Sequence, residues 1–277
     1  MVSAKHRYIA GMPQLCFTGL SENWLLKECG HRHWEALAEH SGRDCPDFVA
    51  EDGSRSYAAF TAISLRATRI DRIVENDSIE IETSLCRTGA VRHFSMHKLL
   101  WNGIESAALA MSTTFVQRHA ARDNRSVSRA VLAKLAGNVS PIPDAAREMV
   151  LLGKRLRAGE REACERLAGA ASALYAPSVF LPCPSNDFNG ADFLYFASFQ
   201  AFIDRAEWQR HLFPDPPVLA RRDLHFYGNV NIGDSLEVHV LAENVDEIGI
   251  AHWCEVRRGS DGQKIADVLT EKHWRVR

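Results

Sequence analysis

The run Asp187-Phe188-Asn189-Gly190-Ala191 brings together groups able to handle a carbonyl oxygen or an anion. Asp187 supplies a carboxylate that can act as a general base or cap a helix. Asn189 supplies an amide donor, and Gly190 leaves backbone N–H groups approachable, its own and that of Ala191. Phe193, Leu194, Phe196, Ala197, Ala201 and Phe202 then recur at helical spacing, and the positions between them are largely aromatic or small. A buried helix that opens at such a polar loop stabilises negative charge on an oxygen placed at its N-terminus.

Other chemistry-bearing residues are more isolated. Tyr57 sits among Ala58, Ala59 and Phe60; a phenol with a pKa of about 10 is a poor nucleophile unless activated, and in a buried strand it ordinarily packs with its hydroxyl satisfied. Gly19-Leu20-Ser21 is not a G-x-S-x-G elbow, and Ser21 reads as a helix cap. His31 and His33 are two apart and do not share a helix face, so no metal site is expected from them. His225 and His239 lie in strands without a partnered motif.

These residues are carried by alternating helical and extended segments. Ile9 to Phe17 reads as extended, and Ser21 caps a helix through Trp24, Leu25, Leu26, Cys29, His33, Trp34 and Leu37, ended by Gly42 and Pro46. Strands are expected over Ser56 to Leu65, Asp77 to Ser84, Val91 to Leu100 and Ala107 to Val116, with a turn at Asn102-Gly103. Between Arg118 and Ala173 charged residues mix with Ala and Leu, and amphipathic helices are expected over Val127 to Leu135 and Asp144 to Ala173. Tyr175 to Pro182 is extended and leads into the apolar helix. Strands over Leu219 to Gly228, Asp234 to Val240, Gly249 to Arg257 and Lys264 to Val276 complete the chain.

The halves match: extended lead-in, apolar helix, about four strands. Asp77-Ser-Ile-Glu-Ile81 against Asp234-Ser-Leu-Glu-Val238 gives 234 − 77 = 157, and Thr113 against Thr270 gives 157 again. The pattern predicts a duplicated α+β unit, a long helix wrapped by an antiparallel sheet, which is a double hot-dog fold. Its parts are expected as 1–118, a helical connector over 119–173, and 174–277.

With 46% apolar residues, 25% charged residues and a net charge of −2, nothing calls for nucleic acid or an anionic membrane surface. No run has the length of a membrane span, the first residues lack a signal-peptide core, and seven scattered cysteines without C-x-x-C read as reduced thiols. A cytoplasmic protein is expected.

The runs Met12-Pro-Gln-Leu-Cys-Phe-Thr-Gly-Leu-Ser-Glu-Asn-Trp-Leu-Leu-Lys-Glu-Cys-Gly-His-Arg-His-Trp34, Ser56-Tyr-Ala-Ala-Phe60 and Asp187-Phe-Asn-Gly-Ala-Asp-Phe-Leu-Tyr-Phe196 resemble the double-hot-dog bifunctional acyltransferase/decarboxylases of the leinamycin-pathway type. The resemblance implies conversion of methylmalonyl-CoA to a propionyl group on an acyl-carrier protein in polyketide biosynthesis, with Tyr57 at the position of the acyl-accepting tyrosine. Decarboxylation needs no metal or cofactor; it needs donors for the thioester oxygen, and Asn189 with the Gly190 and Ala191 amides are the candidates. A carboxylate close to the departing CO2 would repel the substrate's charge, so under this reading Asp187 caps. Arg221 and Arg222 could meet a CoA phosphate or an acidic carrier surface, although solvated strand ends are the plainer expectation.

Two alternatives stand beside it: a thioesterase with Asp187 as base, and a non-catalytic acyl-thioester binder. Further pairing into a homodimer is compatible with all three.

Overall fold

A computed structural model describes residues 2–132, 138–160, 164–167 and 175–275. The chain divides into two compact units, Met1–Met149 and Val150–Arg277. The residues expected as a connector, 119–173, are thereby shared between the two.

The first unit begins with β1 (Val2–Ile9), a 3-10 turn at Met12–Gln14, and the short pair β2 (Leu15–Cys16) and β3 (Gly19–Leu20). Helix α1 (Glu22–His40) follows, capped as expected: Ser21 Oγ accepts from the Trp24 amide. Strands β4 (Ser56–Ala67), β5 (Ser78–Arg87), β6 (Arg92–Trp101) and β7 (Ile104–Arg118) form an antiparallel sheet in the order β1-β5-β6-β7-β4, and β8 (Val127–Arg129) pairs with the end of β7. The β6–β7 connection is tight because Asn102 and Gly103 both take positive φ, 52° and 76°. Along β5, Ile79, Ile81, Thr83 and Leu85 alternate inward. Ala36 and Leu37 of α1 pack with Phe48, Ala58, Leu85, Phe115 and Ala130.

Helix α2 (Asp144–Arg157) crosses the boundary between the units, and Leu156 and Leu167 pack with Ala242, Ala251, Trp253 and Leu269 in the second. There, β9 (Ser178–Phe180) and the single turn α3 (Pro184–Asp187) precede α4 (Phe196–His211). Strands β10 (Val218–Phe226), β11 (Leu236–Val245), β12 (Gly249–Arg258) and β13 (Lys264–His273) take the antiparallel order β10-β13-β12-β11-β9. The connectivity repeats that of the first unit: the strand after the helix pairs with the last strand, and the strand before the helix lies at the far edge. Phe199 and Phe202 of α4 pack against Phe226 and Phe180, at ring-centroid separations of 5.1 and 5.3 Å. Nearly every residue of β12 is buried; a strand covered on both faces loses the polar alternation of a half-exposed one.

Several expectations need correction. Residues 2–9 form a full edge strand, antiparallel to β5 from Val2↔Leu85 to Ile9↔Ser78, where only an extended lead-in from Ile9 was expected. Val127–Arg129 is strand, not helix, because its backbone bonds complete the end of β7; residues 133–135 of that expected helix lie outside the described residues. The second expected helix ends at Arg157, followed by Gly159 at φ 80°; of the remainder, 161–163 and 168–173 lie outside the described residues, as does Val276. No helix of the described residues is long and apolar enough to cross a membrane.

Candidate active site

The polar run ahead of α4 is a tight hairpin. Tyr195 N donates to Asp187 O (2.7 Å), Asn189 N to Phe193 O (2.9 Å) and Asp192 N to Asn189 O (3.0 Å). This is the pattern of a three-residue loop, Gly190-Ala191-Asp192. Its left-handed residue is Asp192, at φ 61°, not Gly190; aspartate is among the few L-residues that tolerate that region. Phe188 and Leu194 are bridged. Asp187 closes the single turn α3, Phe188 is extended (φ −100°, ψ 148°), and Asn189 leads into the loop.

Both polar side chains are oriented by backbone donors. Asp187 is buried, and its Oδ2 accepts from Cys183 N at 2.8 Å. Its Oδ1 has no hydrogen-bond partner among the described residues. Asn189 Oδ1 accepts from both Ala191 N (2.9 Å) and Phe193 N (3.2 Å). Two N–H donors settle which end of the amide is the oxygen, and the NH2 end points away from the turn as a donor. Neither residue caps α4: the N-cap is Tyr195, without a side-chain cap bond. The helix instead starts where Asp187 O accepts from Tyr195 N and from Ser198 Oγ (3.2 Å).

The two amides expected to face a substrate oxygen differ. Ala191 N is taken up by Asn189 Oδ1. Gly190 is exposed, a Cβ there would meet nothing within 4 Å, and its N–H is not used by the turn.

Asn229 was missed from the sequence. Its Oδ1 accepts from Leu194 N and Val230 N, each at 2.9 Å, and its Nδ2 donates to Leu194 O at 3.3 Å. It ties the second arm of the hairpin to the segment after β10. A single Asn before Val230 offers no sequence signal for that clamp.

Tyr57 lies in the first unit, opposite Val116 on β7 and half-buried. Its neighbours Ala58 and Phe60 face α1: Trp34 Nε1 donates to Ala58 O (3.0 Å), and the Phe60 ring lies 5.2 Å from that of His33. Alternation puts the Tyr57 ring on the other face of β4. Neither unit alone assembles Tyr57 with the other four residues.

Buried polar networks lie between helix and sheet in both units. In the first, His33 contacts Ser95 Oγ (2.7 Å) and Thr113 Oγ1 (2.9 Å), and His97 contacts Ser95 Oγ (2.8 Å) and Thr83 Oγ1 (2.9 Å). Burial pushes His97 down to about 3, and burial followed by the neighbouring His97 and His93 holds His33 well below the ordinary histidine range. These are neutral imidazoles in a hydrogen-bonded chain.

In the second, Arg222 donates to Asp204 (2.7 Å) and Thr270 (2.9 Å), and Lys272 to Asp204 (2.9 Å) and Glu207 (2.8 Å). The expectation of Arg222 as a solvated strand end is wrong; it is fully buried, with Asp204 of α4 as its counter-charge. Arg221 is likewise engaged, with Asp223 and Glu271. Burial would raise Glu207, but Lys272 and His252 outweigh it and hold it at about 2.

Cys254, His252 and Glu207 follow in the order of a nucleophile relay, Sγ to Nδ1 at 3.4 Å and Nε2 to Oε2 at 2.9 Å. Burial pushes the thiol up to about 12 and both Cys254 and His252 are sealed from solvent, so this relay holds helix to sheet and performs no attack. Asp204 and Glu207, three apart on α4, share a face; that spacing was the available sequence signal. Among the described residues no group of three or more His, Cys, Asp or Glu could hold a metal ion.

The antiparallel sheet with its packed helices fits a hot-dog fold. Solved structures agree. An acyl-ACP thioesterase from Bacteroides thetaiotaomicron is similar at TM-score 0.65 and 10% identity, over 98% of each chain. A 12:0-ACP thioesterase from Umbellularia californica is similar at TM-score 0.67 and 9% identity, over 99% of this chain and 98% of that one. A Lactobacillus plantarum protein with a provisional assignment as an oleoyl thioesterase reaches TM-score 0.69 at 10% identity, over 99% of this chain and 95% of that one. At these identities the likeness establishes the fold. No family model and no curated protein matches the chain.

These neighbours overturn the leading functional expectation. The reading as an acyltransferase/decarboxylase of polyketide biosynthesis, with an acyl group carried on Tyr57, gains nothing from them. They agree with the thioesterase alternative instead.

Proposed function

We propose that the protein is a tandem double-hot-dog thioesterase that hydrolyses acyl thioesters of coenzyme A or an acyl-carrier protein at the 187–195 hairpin. The observation that carries this reading is the division of labour between two polar side chains of that hairpin. Asp187 keeps one carboxylate oxygen on Cys183 N and one uncommitted, while Asn189 turns its NH2 group outward. Asp187 takes a proton from water, whose oxygen adds to the thioester carbonyl. Asn189 Nδ2–H and Gly190 N–H donate to the oxygen as it becomes negative. Collapse breaks the C–S bond, the thiolate takes the proton held by Asp187, and the products are a carboxylic acid and a free thiol. No group in this sequence requires a metal or cofactor.

Release of free thiol from acyl-CoA and acyl-carrier substrates, in a panel running from methylmalonyl to long acyl chains, tests the proposal. Asp187→Asn is expected to abolish turnover, Asn189→Ala to lower it by about 10²–10³-fold, and Tyr57→Phe to leave it intact. Unchanged turnover in Asp187→Asn, or no thiol release from any substrate of the panel, overturns the reading.

A further inference from the structure

Residues 175–204, which hold β9, α3, the hairpin and the first turns of α4, contain no Lys, Arg or His. Residues 226–238, which carry the Asn229 clamp into β11, contain none either. The chain as a whole has 33 Lys and Arg and 12 His, so both stretches that build the hairpin site are depleted of cations. Where α4 buries carboxylates further along, the sheet answers them: Arg222 and Lys272 pair with Asp204, and Lys272 with Glu207. Asp187 is treated differently. It is 8% exposed, it accepts only from the Cys183 amide, and it has no ion-pair partner among the described residues.

The flanks of the site are aliphatic. Strand β9 pairs with β11 from Val238↔Ser178 to Leu236↔Phe180, so Leu181 leaves one strand where residues 232–235 enter the other. Leu181 and Ile232 stand at that end, 71% and 55% exposed. Cys183, whose N–H holds Asp187, follows Leu181 by two residues.

We propose that the hairpin site selects thioesters of uncharged aliphatic acids and excludes acyl groups bearing their own carboxylate, with the Asp187 charge as the filter. The substrate class rests on the thioesterase reading; the exclusion rests on charge. Asp187 acts on a water that touches the thioester carbon, and the carboxylate of a malonyl-type acyl group is attached one carbon away. Binding such a group brings two negative charges within about 6 Å of each other where water is partly excluded. Sites that accept carboxylates supply Arg or Lys donors to them, and neither stretch has one to offer.

Isobutyryl-CoA and methylmalonyl-CoA differ by a methyl in place of the carboxylate, so the shared coenzyme cancels when their kcat/KM values are compared. A preference for isobutyryl-CoA of about 100-fold, shrinking as salt is added, is expected. Calorimetry with two thioethers that cannot be hydrolysed, S-(2-methylpropyl)-CoA and S-(2-carboxypropyl)-CoA, reads the same discrimination without turnover. A gap of about tenfold or more in the wild type should close in Asp187→Asn. Methylmalonyl-CoA cleaved as well as isobutyryl-CoA, or a thioether gap that persists in Asp187→Asn, overturns the proposal. If the thioethers are discriminated as expected while no thioester is cleaved, the hydrolase reading falls and the charge filter stands.

Discussion

Asp187 and Asn189 are two residues apart, the first closing α3 and the second opening the hairpin loop. Both were recognisable in the sequence as a polar pair ahead of an apolar helix. Their roles were not, because capping and ligand contact draw on the same side-chain atoms, and only the hydrogen-bond partners tell them apart. Asp192 shows the limit from the other direction: a glycine two residues earlier drew attention, yet the left-handed position fell on the aspartate. Asp192→Gly is therefore expected to hold or raise stability, whereas Asp192→Val should lower it by about 1–2 kcal/mol. Urea melts of the two variants against the wild type check this, and equal loss in both would show that the Asp192 side chain, not its backbone conformation, is what matters.

Elements were the most legible level. Ser21 as a cap, Asn102-Gly103 as a hairpin turn and the inward alternation of β5 followed from local rules and stand in the structure. Val127–Arg129 failed for an equally physical reason: its helix-compatible composition was overridden by the unpaired end of β7. The junction between hairpin and α4 belongs to this scale. Asn229, reached from the loop after β10, makes three bonds to main-chain atoms of Leu194 and Val230. Asn229→Ala should loosen the arm that positions Asp187 and Asn189, lowering kcat by about tenfold or more while KM changes little. Steady-state kinetics separate this from general destabilisation, and a rise in KM at constant kcat would assign Asn229 to substrate binding instead.

Across the whole molecule, buried histidines set the response to acid. In the first unit burial pushes His97 to about 3 and His93 to about 4, and lowers His33 further below its ordinary range. Each folded-state pKa lies below the unfolded value near 6.5, so the unfolded chain takes up these protons first. Stability is intact above that value and drains as pH falls towards the folded pKa, by about 1.4 kcal/mol per pH unit for each histidine. The second unit carries fewer such groups, His225 and His252. Its Asp204 and Glu207 carboxylates lose their stabilising charge only at lower pH, as Glu207 nears about 2. Hydrogen exchange read by peptide between pH 7 and 4 should show the first unit losing protection before the second; simultaneous loss would mean that the imidazole networks do not govern acid unfolding.

The sequence by itself determined the two helix-plus-sheet repeats and the hairpin's chemical groups, because hydrophobic period, caps and turn residues act within a few positions. Which buried cation meets which carboxylate, and that Cys254, His252 and Glu207 form a sealed relay, only the tertiary structure decided. Those partners lie up to 68 residues apart, and their charges are tolerated in the interior solely because packing brings the opposing ones within hydrogen-bond reach.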